Sequence, residues 1–415
     1  MTPKIKLRID QIRRGEIPKG YIRTVSGISP TDWKRYTFGD IYTERKEPGS
    51  EELPLLMVSI HSGVSDGEVD EKNLPKKVKR IADKSQYKKA VSGDLVFNMM
   101  RAWQGAIGTV RTTGMVSPAY IVAEPNDTVY PLFMDYYTRT PQMINQIDRQ
   151  SYGVTDFRKR LYWDSFIPIG CILPPVAEQQ KIAAILTTQD KVIELKEKRL
   201  AEKQWQKKYL MQQLLTGKKR LPGFNGAWKV DRLGKLFLER KETNYEGLQM
   251  LAITGAQGII PRKELDLKDN SSEDKSKYLR VCVGDIGYNT MRMWQGISAY
   301  SDYEGIVSPA YTILKPSSSI NAKYFVYLFK TPEIIFLFYR FSQGLVDDTR
   351  NLKYENFKKI KVCYPPDTKE QTAIAEVLSA ADREIGLLRQ DIEQEKQKKK
   401  ALVQLLLTGI VRVKT

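Results

Sequence analysis

The sequence predicts an α+β protein: two similar mixed α/β globular domains separated by two long helices that pack as an antiparallel coiled coil. Three observations carry this expectation. The chain repeats itself at half its length, each repeat ends in a long stretch of helix-forming residues, and the intervening parts alternate β-rich runs with turns.

The repeat comes first. Met100-Arg101 and Trp103-Gln104-Gly105 return as Met291-Arg292 and Trp294-Gln295-Gly296, and Val116-Ser117-Pro118-Ala119-Tyr120 returns as Val307-Ser308-Pro309-Ala310-Tyr311. Both recur at an offset of 191 (291 − 100 and 307 − 116). One offset shared by separate matches means duplicated structure. Trp33 answers to Trp228 and Glu44-Arg45-Lys46-Glu47 to Glu239-Arg240-Lys241-Glu242, at 195 (228 − 33), so a few residues were inserted or lost before Gly93. Gly93-Asp94, Asn98, Tyr136, Thr140 and Pro141 match Gly284-Asp285, Asn289, Tyr327, Thr331 and Pro332. Further on, Gly153, Leu161, Phe166 and Pro174-Pro175 match Gly344, Leu352, Phe357 and Pro365-Pro366.

Each Pro-Pro pair opens a stretch rich in Glu, Lys, Gln, Leu and Ala: 176–216 has no Gly or Pro, and 367–408 has only Gly386. These are good helix formers. Both stretches carry Glu-Gln near the start (Glu178-Gln179, Glu370-Gln371) and end in Leu-Leu-Thr-Gly (Gly217, Gly409). Pro before a helix and Gly after it are start and stop signals. At 1.5 Å per residue each helix should run roughly 55–60 Å. The second carries Ile374, Leu378, Ala381, Ile385, Leu388 and Ile392, spaced four and three apart, which is a coiled-coil seam. The first keeps Ile182, Leu186, Ile193 and Leu200 but sets Gln189 and Lys196 between them.

The globular parts read as mixed. Runs at 55–60, 94–98 and 120–123 look like strands, and 131–137 and 322–329 look helical. The expected division is 1–173, 174–217, 218–364 and 365–415.

Composition bounds the function. Hydrophobic content of 41% and aromatic content of 10% fit a folded protein. Lys+Arg number 67 against 49 acidic residues, a net charge of +18. Such a surplus points to a polyanionic partner, usually nucleic acid. A membrane surface is the rival anion, but no apolar run is long enough to span a bilayer. The opening residues (Lys4, Lys6, Arg8, Arg13, Arg14) are charged without a signal peptide's apolar core, and Cys171, Cys282 and Cys363 lie far apart. A cytoplasmic location is expected.

Catalytic patterns fail. The single histidine, His61, cannot build a metal cluster or a serine-type triad, and no phosphate-cradling GxxxxGK[ST] loop exists. The Pro-Pro pairs lack the Asn or Asp before and the aromatic after that an amino-methyltransferase would want. A nuclease pattern around Pro366-Asp367 is no more than the chance spacing of a charged helix.

Two divergent domains, each followed by Pro-Pro, Glu-Gln and a long helix ending in Leu-Leu-Thr-Gly, resemble the specificity subunit of a type I restriction–modification system, over nearly the whole chain. The resemblance implies two target-recognition domains, each reading half of a split, asymmetric site in double-stranded DNA. It implies that the paired helices hold the domains apart and set the spacer. It implies two methylation and two restriction/motor subunits as partners and no membrane role. S-adenosylmethionine, ATP and Mg2+ would sit on those partners, with no cofactor bound by this chain and no catalysis by it alone. The opening segment to about Ile28 has no counterpart at the start of the second half, where 218–224 stand instead. The competing readings are a nucleic-acid-binding coiled-coil scaffold without base preference, RNA included, and a standalone methyltransferase or nuclease.

If the halves read different sequences, residues common to both do not read bases. Asn98/Asn289, Arg101/Arg292, Trp103/Trp294 and Gln104/Gln295 should then hold the fold or touch phosphates, since phosphate contacts position and base contacts specify. Base readers belong where matched frames diverge. One such place is 62–89 against 257–277. The other is 152–160 against 343–351, framed by Gly153/Gly344 and Leu161/Leu352. There Tyr152, Thr155, Arg158, Lys159 and Arg160, with Gln343, Thr349, Arg350 and Asn351, are the candidate DNA contacts. Arg to guanine and Asn or Gln to adenine are the commonest base contacts.

Overall fold

The structure is a computed structural model that describes residues 3–24, 27–60, 63–65, 86–155, 158–255, 258–265 and 274–413. It divides into two units, one of residues 1–195 and 392–415, the other of residues 196–391. Each unit joins a globular part to half of each long helix.

The first unit is built on a four-stranded antiparallel sheet in the order Tyr42–Glu44, Tyr120–Pro125, Leu95–Asn98, Ile107–Thr109. Leu95, Val96 and Phe97 are all buried because the strand is covered on both faces. Leu95 and Phe97 enter the main core with Ile121 and Ala123, while Val96 and Val122 enter a second, smaller one. A continuous apolar run is what such a strand needs. The second unit repeats the order with Phe237–Glu239, Tyr311–Pro316, Ile286–Asn289 and Ser298–Tyr300.

An ion pair explains the repeated Glu-Arg-Lys-Glu and Gly-Asp. Asp94 accepts from Arg45 Nε at 2.8 Å and from the Val91 amide at 2.8 Å. Asp285 accepts from Arg240 Nε at 2.7 Å and the Cys282 amide at 2.8 Å. Burial outweighs the arginine and pushes the Asp94 carboxyl above its ordinary value. The 94–98 and 120–123 strand expectations hold at Leu95–Asn98 and Tyr120–Pro125. The run at 55–60 yields only Val58–Ser59, paired with Gly63–Val64, and a bridge from Leu55 to Met115. Pro54 and Leu56 spend their backbone groups on Met115 instead of extending that hairpin.

Helices Pro131–Tyr137 and Ala322–Leu328 fall where expected, each followed by a helix opening on proline, Pro141–Arg149 and Pro332–Phe341. An opening helix, Pro3–Arg13, and a hairpin of Tyr21–Thr24 with Gly27–Pro30 precede the first sheet.

The long helices run over Val176–Leu214 and Thr368–Leu407 and stop before Gly217 and Gly409, both at φ +70°. That left-handed conformation ends a helix and favours glycine. Each core takes the start of one long helix and the end of the other. Ile182, Leu186, Leu406 and Leu407 belong to the first unit's core, and Leu214, Leu215, Ile374 and Leu378 to the second's. The Glu-Gln pairs fix these starts. Gln179 donates to the Pro174 and Thr128 carbonyls, both at 2.9 Å, and accepts from the Tyr130 amide. Gln371 donates to the Pro365 carbonyl at 2.8 Å and accepts from the Asn321 amide.

The polar residues in the first helix's seam have acidic partners. Within the first unit Gln189 Nε2 donates to Glu395 Oε2 at 2.7 Å, and Asp190 meets Lys399 at 2.5 Å. Within the second, Lys196 meets Asp391 at 2.8 Å, Lys203 meets Glu384 at 2.9 Å and Lys207 meets Asp382 at 2.6 Å. In the second unit rising numbers on the first helix (196, 203, 207) meet falling numbers on the second (391, 384, 382), so the helices run in opposite directions there.

Candidate nucleic-acid interface

The ends of the 152–160 and 343–351 segments are paired in the same way. In the first unit the Tyr152 amide donates to the Arg160 carbonyl at 2.9 Å, and the Arg160 amide returns to Tyr152 at 2.8 Å. In the second, Gln343 and Asn351 exchange the same pair of bonds at 2.8 and 2.7 Å. Each loop closes against its glycine. A Cβ on Gly153 would stand 2.5 Å from the Arg158 carbonyl, and one on Gly344, which has φ +125°, would stand 2.6 Å from that of Thr349. Only glycine leaves room for that closure.

A second hydrogen bond seats each loop on the repeated turn. The Leu161 amide donates to the Met99 carbonyl at 2.9 Å, and Leu352 to Thr290 at 2.8 Å. The turn is internally tied. Asn98 Oδ1 accepts from the Met100 amide at 2.9 Å and Asn289 Oδ1 from Met291 at 3.0 Å. Trp103 Nε1 donates to the Met100 carbonyl at 3.0 Å and Trp294 Nε1 to Met291 at 2.9 Å. These repeated residues therefore shape the turn. Ser117-Pro118-Ala119 and its copy turn into the Tyr120 and Tyr311 strands.

Each unit thus brings together one diverging loop and one shared turn. Arg101, Gln104, Arg292 and Gln295 stand exposed on the turns, and Tyr152, Thr155, Arg158 and Gln343 on the loops. Among the described residues, Arg101, Arg158 and Arg292 have no carboxylate partner. The others are engaged within the protein. Lys159 bonds Asp148 at 2.7 Å with its ammonium 5.0 Å from the Trp103 ring centre, and Arg160 donates to the Lys159 carbonyl. Arg350 stacks 4.0 Å over Tyr339 and bonds Asp347. Thr349 bonds the Val346 carbonyl, and Asn351 Nδ2 the Thr349 carbonyl. All five shape the loop, and Lys159, Arg160 and Arg350 add positive charge to it.

Most of the other diverging region, 62–89 against 257–277, lies outside the described residues, as does His61. Sequence reasoning missed the loop tips: Val154 is 93% exposed and Leu345 fully exposed. The signal was present, since both are apolar and again 191 apart (345 − 154). Among the described residues no group of three or more His, Cys, Asp or Glu is placed to hold a metal ion. None of their helices is long and apolar enough to cross a membrane.

Comparison with known proteins adds the following. Residues 229–397 match the family described as the type I restriction modification DNA specificity domain. A Methanocaldococcus jannaschii protein named for the type I restriction enzyme MjaX specificity subunit is 28% identical over 271 residues. That match spans 59% of this chain and 59% of the relative's length. The HsdS subunit from Thermoanaerobacter tengcongensis superposes over 92% of this chain and 98% of its own, with a TM-score of 0.51 at 18% identity. The type I restriction–modification S subunit from M. genitalium does so over 92% and 97%, with a TM-score of 0.55 at 12% identity. At such identities these two likenesses speak for the fold alone.

Proposed function

We propose that this chain is a type I restriction–modification specificity subunit, a reading supported by the family match over residues 229–397 and by the MjaX relative, that it recognises DNA sequence for a methylating and restricting complex, and that it is itself non-catalytic. It reads a bipartite, asymmetric site, one domain to each half. The recognition domains are 1–173 and 218–364, and the spacer helices lie in 174–217 and 365–415. The helices pair as an antiparallel coiled coil whose length fixes the spacing between half-sites. Two methylation and two restriction subunits dock on the chain, in the cytoplasm, as a defence against phage. S-adenosylmethionine, ATP and Mg2+ belong to those partners.

The observation that carries this reading is the pair of identical loop frames with different contents. Tyr152, Thr155 and Arg158 occupy one, Gln343, Thr349 and Arg350 the other. A protein reading two different half-sites must differ where it reads and agree where it holds. Exposed arginines on both turns supply phosphate contacts, and these predict a steep loss of binding with salt.

The test is selection of bound duplexes from a random pool by the full chain with its methylating partner. Enrichment of two short motifs at one fixed spacing is expected. Binding without sequence preference, or single-stranded RNA outcompeting the duplex, would overturn the proposal. Sequencing of methylated adenines in a host carrying the chain gives the same site independently.

A further inference from the structure

We propose that Val154 and Leu345 are apolar wedges, each pressing into a base step of the half-site its domain binds and partly unstacking it. The inference rests on the reading of the chain as a DNA-recognition subunit and names residues that act there without reading bases.

Four observations converge. The two residues hold the same place in the two repeats, 191 apart (345 − 154), and are 93% and 100% exposed, with Val346 beside Leu345 at 58%. Single exposed apolar residues are ordinary on a protein surface. The same one at the tip of the same loop in both halves is a feature of the repeat.

Second, each tip sits next to a closed base. The paired backbone bonds between 152 and 160 and between 343 and 351 clamp the ends of the two segments, and Gly153 and Gly344 lie against the Arg158 and Thr349 carbonyls. A clamped base limits how far the side chain beside it can fold away.

Third, each loop carries a cation. Arg158 is exposed on the same loop as Val154, and Arg350, five residues beyond Leu345 (350 − 345) in the same small loop, stacks on Tyr339. Positive charge brings the phosphates on both sides of a step close enough for an apolar tip to reach the stack.

Fourth, the chemistry is shared while the neighbours differ. Tyr152 stands against Gln343 and Thr155 against Val346, yet both tips are aliphatic. A function common to two different half-sites is independent of base identity. Inserting an aliphatic side chain between bases is such a function, because every base presents an apolar face; proteins that bend DNA use Leu, Ile, Phe and Met in this way. A methyl-to-methyl contact with thymine is the other use of an exposed aliphatic group, but it would demand thymine at matching places in both half-sites.

The test uses the full chain with its methylating partner and duplexes in which single adenines are replaced by 2-aminopurine, whose fluorescence rises on unstacking. Binding should raise the signal several-fold at one step in each half-site. Leu345→Ala should abolish the rise in the half-site of the second domain and leave the other, and Val154→Ala should do the reverse. Both tips project into solvent, so these variants keep the fold, and the salt slope of binding should stay as in the parent because no phosphate contact is lost. A two-part site bound with no fluorescence rise anywhere, or a rise untouched by either variant, would overturn the wedge. So would a loss of affinity seen only when a thymine is replaced by uracil. Binding with no sequence preference would instead sink the recognition reading beneath it.

Discussion

Arg220 closes on Glu370 with two hydrogen bonds, Nε at 2.5 Å and Nη2 at 2.6 Å from the two carboxylate oxygens, and its guanidinium lies 5.6 Å from the Trp228 ring centre. A residue six places beyond the first long helix (220 − 214) thereby grips the start of the second. Glu370 is 2% exposed and Arg220 25%. Removing the arginine strands a buried carboxylate, so Arg220→Ala should cost about 2–4 kcal/mol, below the full range for a wholly buried pair because the arginine is partly wet. Denaturant unfolding of the full chain measures this; an unchanged midpoint would show that water already serves Glu370.

Arg158 is the most exposed cation of its loop and has no carboxylate partner among the described residues. Arg158→Ala should relax preference at one or two base pairs of one half-site, by roughly 10-fold, corresponding to the 1–3 kcal/mol of a bidentate base contact. The other half-site should be read as before. Equal weakening on all sequences would instead mark Arg158 as a phosphate contact.

The paired helices are the proposed ruler. Four residues inserted beside Glu197 add about one turn, roughly 6 Å. With bases stacked about 3.4 Å apart, the preferred spacer should lengthen by about one or two base pairs. The spacer in duplexes selected by the variant is the readout, and a spacer equal to the parent's refutes the ruler.

The cysteines should separate by reactivity. Burial pushes the Cys171 thiol up to about 12 and raises that of Cys282, while Cys363 is exposed. Because the thiolate is the nucleophile, at pH 8 a disulfide reagent should titrate Cys363 first, Cys282 more slowly and Cys171 only after unfolding. The sign follows from the raised value: Cys171 stays a neutral thiol until the pH approaches 12. Rapid reaction of all three in the native chain would contradict the burial.

Much of this architecture was legible in the residues. Gly, Pro and apolar spacing marked both long helices to within two residues at each end, and the repeat located the shared turn and the diverging loops. Gln189 and Lys196 read as breaks in a seam because their partners, Glu395 and Asp391, lie some two hundred residues away in sequence, where spacing within one helix says nothing. The loop tips were missed for a related reason: Val154 and Leu345 look like any apolar residue until exposure is known. The opening helix and hairpin, with no repeat counterpart, offered no pattern to compare.

That opening segment lies against the tail that follows the second long helix. Arg8 donates to the Ile410 carbonyl at 3.1 Å, Tyr21 OH to Gly409 at 2.8 Å, and Arg412 grips Asp32 and Glu178, with its contacts at 2.7 Å. Force applied between residues 3 and 413 would therefore load this latch before it reached either long helix. Extension from those two points should begin with a small early rupture, weakened by Arg412→Ala, well before the helices part.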